Sequence, residues 1–328
     1  MISSRLARVA FCLVMSSSVA GLAEVAVTPM DDRVRIDIDG KLFTEFRTKG
    51  AAHVYYWPII GPNGAKMTRA WPMEESPGEE HDHPHHRSMW FSHGMVNGVD
   101  FWGEPASYKN DPKHPVGQIV NDKILEAKGG ADSGVVTSQE KWVAPDGSVP
   151  VTSKQTLRVY SRPATERVMD FEITLTAGDK DAVFGDTKEG TAGIRIAESM
   201  RLKGPKSTPG AGKIINSEGE SGDKVWGKRA KWVDMSGPID GKTYGIAFLD
   251  NPSNPRHPTR WHARDYGLFA ANPFCEKEMD KNQPAGAGDF TLKAGQSVTF
   301  KYRIIIHEGD GEAAKVGDRY QAYSQGKL

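Results

Sequence analysis

Cysteine is nearly absent from this chain: Cys12 and Cys275 are the two in 328 residues. Cys12 falls in an N-terminal stretch that reads as a removable leader, so the rest of the chain keeps one thiol and no internal disulfide. An excess of either charge is absent too, with 42 Lys and Arg against 42 Asp and Glu. That balance argues against nucleic acid or an anionic membrane as the main partner. Beyond the leader no apolar run approaches the roughly 20 residues needed to cross a bilayer, so no membrane insertion is expected after signal cleavage. Also missing are alternating helical and strand patterns, a glycine-rich phosphate loop and a Gly-x-Ser-x-Gly elbow.

The leader itself is legible. Residues 1–23 carry Arg5 and Arg8, then the apolar Val9 to Val14, then small residues ending Gly21-Leu22-Ala23. This is the pattern of a secretory signal cut between Ala23 and Glu24. The bulky Phe11 before Cys12 argues against lipid attachment there. The expectation is a periplasmic or secreted protein whose residues 24–328 form a single domain, since no linker or internal repeat interrupts them.

What is present in quantity is β-pattern. Val34, Ile36 and Ile38 alternate with charged residues, Asp39-Gly40 supplies a tight turn, and Leu42 to Phe46 returns as the second arm of a hairpin. Val135 to Val143, Val151 to Tyr160 and Glu166 to Thr176 read as a meander. In its last strand Met169, Phe171, Ile173 and Leu175 alternate with polar residues, one face buried and one wet. Thr191 to Arg201 and Gly241 to Leu249 give further strands, and Asp289 to Lys293 with Gln296 to His307 read as a closing hairpin. Only the tail has helical spacing, with Ala313, Val316, Tyr320 and Tyr323. The class is all-β: a large antiparallel two-sheet sandwich with a short C-terminal helix.

Three stretches carry candidate chemistry. In the first, half of the ten histidines lie between His81 and His93, beside Arg87 and running into Met89-Trp90-Phe91 and Asn97-Gly98-Val99-Asp100-Phe101-Trp102. Histidine titrates near neutrality and is the commonest metal ligand. A histidine run can also be a solvated loop, but exposed tracts do not usually run into residues that must be buried. The second stretch is Arg256-His257-Pro258-Thr259-Arg260-Trp261-His262-Ala263-Arg264-Asp265-Tyr266-Gly267. Its aromatic faces and polar groups suit a sugar ring, although a packed connecting loop is the plainer alternative. The third is Gly193 to Arg201, where strand alternation places Glu198 with Ile194, Ile196 and Met200, away from Arg195. A carboxylate on such a face is paired, metal-bound or catalytic.

Asp82-His83-Pro84-His85-His86-Arg87, Asn97 to Trp102, Arg256-His257-Pro258-Thr259 and Trp261 to Gly267 together resemble the bacterial family labelled "methane oxygenase PmoA" over essentially the whole mature chain. The resemblance implies exported proteins of carbohydrate-degrading bacteria, often encoded near sugar oxidoreductases. The final strands also look like those of galactose-mutarotase-like supersandwiches, which bind sugars in a sheet concavity using His, Arg and a carboxylate. An oxygenase role fits poorly with a chain that has no membrane span.

The expected function is therefore that of a carbohydrate-active enzyme: a lyase, hydrolase or epimerase acting on a sugar or keto-glycoside. His83, His86, His262 and Glu198 are the candidates for proton transfer. Arg87, His85, His93, Trp102, Arg264, Trp261 and Tyr266 are the candidates for substrate binding. A metal-dependent version would hold one divalent transition metal on His83, His85 and His93. A carbohydrate-binding protein without catalysis is the alternative from a different class.

Overall fold

The computed structural model describes residues 24–108, 111, 113–205 and 209–328. The expected signal sequence and Cys12 lie outside the described residues. Two eight-stranded sheets, antiparallel throughout, face each other. The first runs in the order Val25–Pro29, Arg33–Ile38, Lys41–Arg47, Tyr55–Tyr56, Met89–His93, Gly190–Arg195, Leu268–Asn272 and Arg260–Ala263. The second runs Lys213–Asn216, Trp232–Ile239, Lys242–Asp250, Ser297–Glu308, Glu166–Ala177, Val151–Tyr160, Ser133–Val143 and Gln118–Lys128. A small third pairing joins Ala182–Phe184 to Phe290–Leu292.

The inner faces fill one apolar core in which Ile36, Phe46, Met89, Phe91 and Ile194 meet Leu157, Phe171, Ile173, Phe248 and Ile304. Strand periodicity explains this directly, because in the central strands alternate residues are apolar and point inward, as Met169, Phe171, Ile173 and Leu175 do. The first hairpin forms as its sequence dictates, with Asp39 and Gly40 at φ 52° and 69°, the left-handed pair that a two-residue hairpin turn requires. The central meander appears as Ser133–Val143, Val151–Tyr160 and Glu166–Ala177. The tail helix spans Val316–Ser324 and covers a second apolar cluster on the outer face of the second sheet, packing Val316, Tyr320 and Tyr323 on Leu249 and Ile305.

Two expectations fail. The closing strands do not form a hairpin: Phe290–Leu292 pairs with Ala182–Phe184, while Ser297–Glu308 lies between Glu166–Ala177 and Lys242–Asp250. Long-range partners with a full alternating face outcompete a three-residue neighbour. The third candidate stretch is a strand only to Arg195, after which Glu198–Met200 turns as a 3-10 helix.

Candidate functional site

The outer face of the first sheet carries its own aromatic cluster. Four cross-strand pairings line up Tyr55, Trp90, Gly193, Ala270 and His262 in one row across five strands. The small residues at its centre make room. A Cβ on Gly193 would sit 3.1 Å from Trp90 Cζ2 and 3.2 Å from Trp102 Cη2, so glycine lets both indoles lie against the sheet. The histidine-rich loop, held by the Arg69 guanidinium, which donates to the Glu80 and His83 carbonyls at 3.4 and 3.1 Å, folds over this platform.

On it, flat rings pile up from inside to outside. His53 stacks on Trp90 at 5.7 Å, His86 on Trp90 at 5.4 Å, His83 on His86 at 4.6 Å and Tyr266 on His83 at 5.0 Å. His85 and Trp102 meet His86 edge-on. The first two candidate stretches thus converge, with Tyr266 of the second lying on His83 of the first.

Accessibility separates the imidazoles. His85 and His86 are buried, and burial, reinforced by neighbouring His and Arg charges, holds both well below the ordinary histidine range. His86 Nδ1 lies 3.3 Å from Arg195 Nη1, which can only donate, so the His86 proton is on Nε2, where no partner meets it. Burial takes His262 down to about 3. His262 Nδ1 donates to the Lys188 carbonyl at 2.8 Å, and its Nε2 is closed off and unpartnered. None of these three meets a substrate in this conformation. His83 is different: its side chain is 39% exposed.

The surroundings of His83 are built. Its Nδ1–H donates to Asp82 Oδ2 over 2.6 Å, which leaves Nε2 as the accepting nitrogen. Asp82 Oδ1 takes the Nη1 of Arg69 and, at 2.9 Å, the Nη2 of Arg195, two arginines with no exposed side-chain surface. Burial opposes ionisation of Asp82, but the His83 hydrogen bond and the two guanidinium charges together hold its carboxyl well below the carboxylate range. His83 also adopts φ 47°, a left-handed conformation that costs a non-glycine residue about 1 kcal/mol or more and is tolerated where the surroundings impose it.

Beside this dyad runs a groove. A cavity of about 210 Å³ is walled by Glu80, Asp82, Arg201, Lys203, Asp265 and Tyr266. A larger one, about 340 Å³, adjoins it across Lys203 and Asp265 and reaches Arg264 and Trp226. Glu198 is not on the apolar face that simple alternation predicts. The turn after Arg195 brings it to Arg201 Nη1, with its Oε1 3.8 Å from Arg195 Nη2. Burial raises its carboxyl above the ordinary range against the pull of those arginines.

Several expected site residues lie elsewhere. His93 points from its strand into the inter-sheet core, against Phe184 and Phe274, because residue 93 is three positions from Trp90 and faces the opposite side. His83, His85 and His93 therefore do not surround a common point, and among the described residues no group of three or more His, Cys, Asp or Glu side chains is placed to hold a metal ion. Trp261 is likewise fully buried against Phe248, its Nε1–H given to the Ala230 carbonyl. Trp102 is buried within the platform. Arg87 is neutralised by two bonds to Glu104 and rests on Tyr55. Arg256 and His257 are structural: Arg256 ties three backbone carbonyls, and His257 bridges Asp250 to Tyr320 of the helix. Tyr266 and Arg264 do line the groove.

Sequence reasoning missed Arg69, Asp82 and Arg201, and it turned Arg195 away from the Glu198 that it in fact approaches. Adjacency of Asp82 to His83 was a usable signal. Nothing in the local pattern marks Arg69 as buried.

Fold and site together define an all-β, two-sheet sandwich protein with a His-Asp pair over buried arginines on one outer face. The chain belongs to a family of unknown function, DUF6807, whose pattern matches residues 33–321. That description lends no support to the oxygenase label or to a mutarotase likeness. No curated protein matches the chain. Among solved structures, the polysaccharide lyase BACCELL_00875 is similar over 88% of this chain at 12% identity and a TM-score of 0.30. This chain spans 33% of that protein's length.

Proposed function

We propose that this protein is an exported carbohydrate-active enzyme that removes a proton next to a carbonyl of a sugar or keto-glycoside, as a lyase or epimerase does. The observation that supports it is the His83–Asp82 pair: a part-exposed imidazole whose Nδ1 is tied to an ionised carboxylate, leaving Nε2 to accept a proton, in contact with Asp82 and Tyr266 of the groove wall. Substrate C–H bonds break as His83 Nε2–H forms, and Asp82 stabilises the resulting imidazolium. The negative charge that develops on the carbonyl oxygen is met by the guanidinium groups beside the dyad, of which Arg201 lines the groove. Residues 1–23 support export.

Incubating the purified protein with a panel of keto-sugars and keto-glycosides tests the reading. Turnover is expected for at least one of them and is lost in a folded His83→Ala variant. A sugar that binds tightly and is always recovered unchanged would make this a binding protein instead.

A further inference from the structure

The larger half of the groove balances two cations, Lys203 and Arg264, against two carboxylates, but not pair by pair. Its wall holds two carboxylates, Asp223 and Asp265, and both are engaged by Lys203, at 3.3 and 2.6 Å. Lys188 nearby is matched by Glu189 at 3.0 Å. Arg264 is left over: among the described residues no carboxylate lies within ion-pair distance of it. Its guanidinium is held instead by two rings, with Trp226 at 6.0 Å and Tyr266 at 5.2 Å from its central carbon. Rings stacked on a guanidinium cover its faces and leave its edge, with paired N–H donors, for a planar anion. The cavity it lines, about 340 Å³, falls in the range of small-molecule sites, about 300–1,000 Å³.

We infer that this half of the groove is a subsite for a carboxylate-bearing sugar ring, bound edge-on by Arg264, next to the position where His83 acts. The inference rests on the proposed function in placing a sugar in the groove, and it narrows the substrate class to acidic carbohydrate. Tyr266, in the wall of the smaller half, links the two, touching His83 on one side and Arg264 of the larger half on the other. An anionic ring on Arg264 is thereby in register with a neighbouring ring over the dyad.

Calorimetric titration of the His83→Ala protein with glucuronate, glucose and glucose 6-sulfate separates this inference from the catalytic one, because binding is read without turnover. Glucuronate is expected to bind about tenfold more tightly than glucose, and Arg264→Gln to reduce that preference to about twofold or less. Lys213→Gln, in a different cavity, is expected to keep it. Equal affinities, a preference that survives in folded Arg264→Gln, or tighter binding of glucose 6-sulfate than of glucuronate would each overturn the assignment. Should Arg264→Gln not fold, raising salt carries the test: glucuronate binding must weaken severalfold while glucose binding holds, and an identical response of both overturns it. Loss of the preference with turnover intact in the parent protein would leave the His83 proposal standing.

Discussion

Asp82 and His83 are neighbours in sequence and partners in space, with Asp82 Oδ2 accepting the Nδ1–H of His83 at 2.6 Å. The same carboxylate is the shared counter-charge of Arg69 and Arg195 through its other oxygen. One group thus fixes the imidazole tautomer and pairs with two buried cations, so its removal has two separable consequences.

The first is stability. Asp82→Ala leaves two buried guanidinium groups without their shared counter-charge, and loss of one partner of a buried ion pair costs about 3–5 kcal/mol. Urea unfolding of Asp82→Ala is expected to show a loss in that range. Arg33→Ala, whose Asp32 and Glu45 contacts lie in the solvent-screened first hairpin, is expected to unfold close to the parent's midpoint.

Acid sensitivity follows from the direction of the Asp82 shift. Its folded pKa lies below the ordinary 3.8, so the unfolded chain takes up this proton first. The stabilisation is present above the ordinary value and is lost as pH falls below it. Stability curves from pH 5 down to pH 2 should fall more steeply for the parent than for Asp82→Asn, and parallel curves would count against the buried pairing.

Glu140 acts in the opposite sense. It is buried between Ser138 and Ser153, away from the groove, and burial pushes its carboxyl from 4.5 up to about 7. The folded state holds this proton while the unfolded chain has released it, so stability declines as pH rises from about 4.5 to about 7. Glu140→Gln removes that slope. Melting measured at pH 5 and pH 8 should show the variant gaining on the parent by about 1–3 kcal/mol at the higher pH.

Trp261 and Tyr266 stand five residues apart in one motif and do different work. Trp261→Ala opens a hole in the inter-sheet core and is expected to cost about 3–5 kcal/mol, with ligand affinity restored once folding is ensured at low temperature. Tyr266→Ala, at the groove, is expected to melt close to the parent yet bind ligand at least about tenfold more weakly.

These contrasts show what the amino-acid pattern reveals. The hairpin at Asp39-Gly40, the meander and the tail helix are legible because each is specified by local turns and by spacing. The edge strand Gln118–Lys128, of which only Ile119 is fully buried, has too weak an alternation to be read. Which face of a strand becomes a site is not local information: Trp261 and His262 are adjacent, and only the pairing of Trp261 with Ala271 and of His262 with Ala270 decides that one enters the core. The same holds for His93 against Trp90. Five histidines within thirteen residues look like a metal trap in one dimension; in three, burial silences His85, His86 and His93 and leaves His81 and His83 accessible, of which His83 is the one hydrogen-bonded to Asp82.

Deuterium wash-in next to the carbonyl of a keto-glycoside, followed by NMR in D₂O, tests the role of that exposed imidazole most directly. The account predicts exchange catalysed by the parent, retained within about tenfold in a folded His262→Phe variant, and reduced at least about a hundredfold in His83→Ala. Exchange at the parental rate in His83→Ala would contradict it.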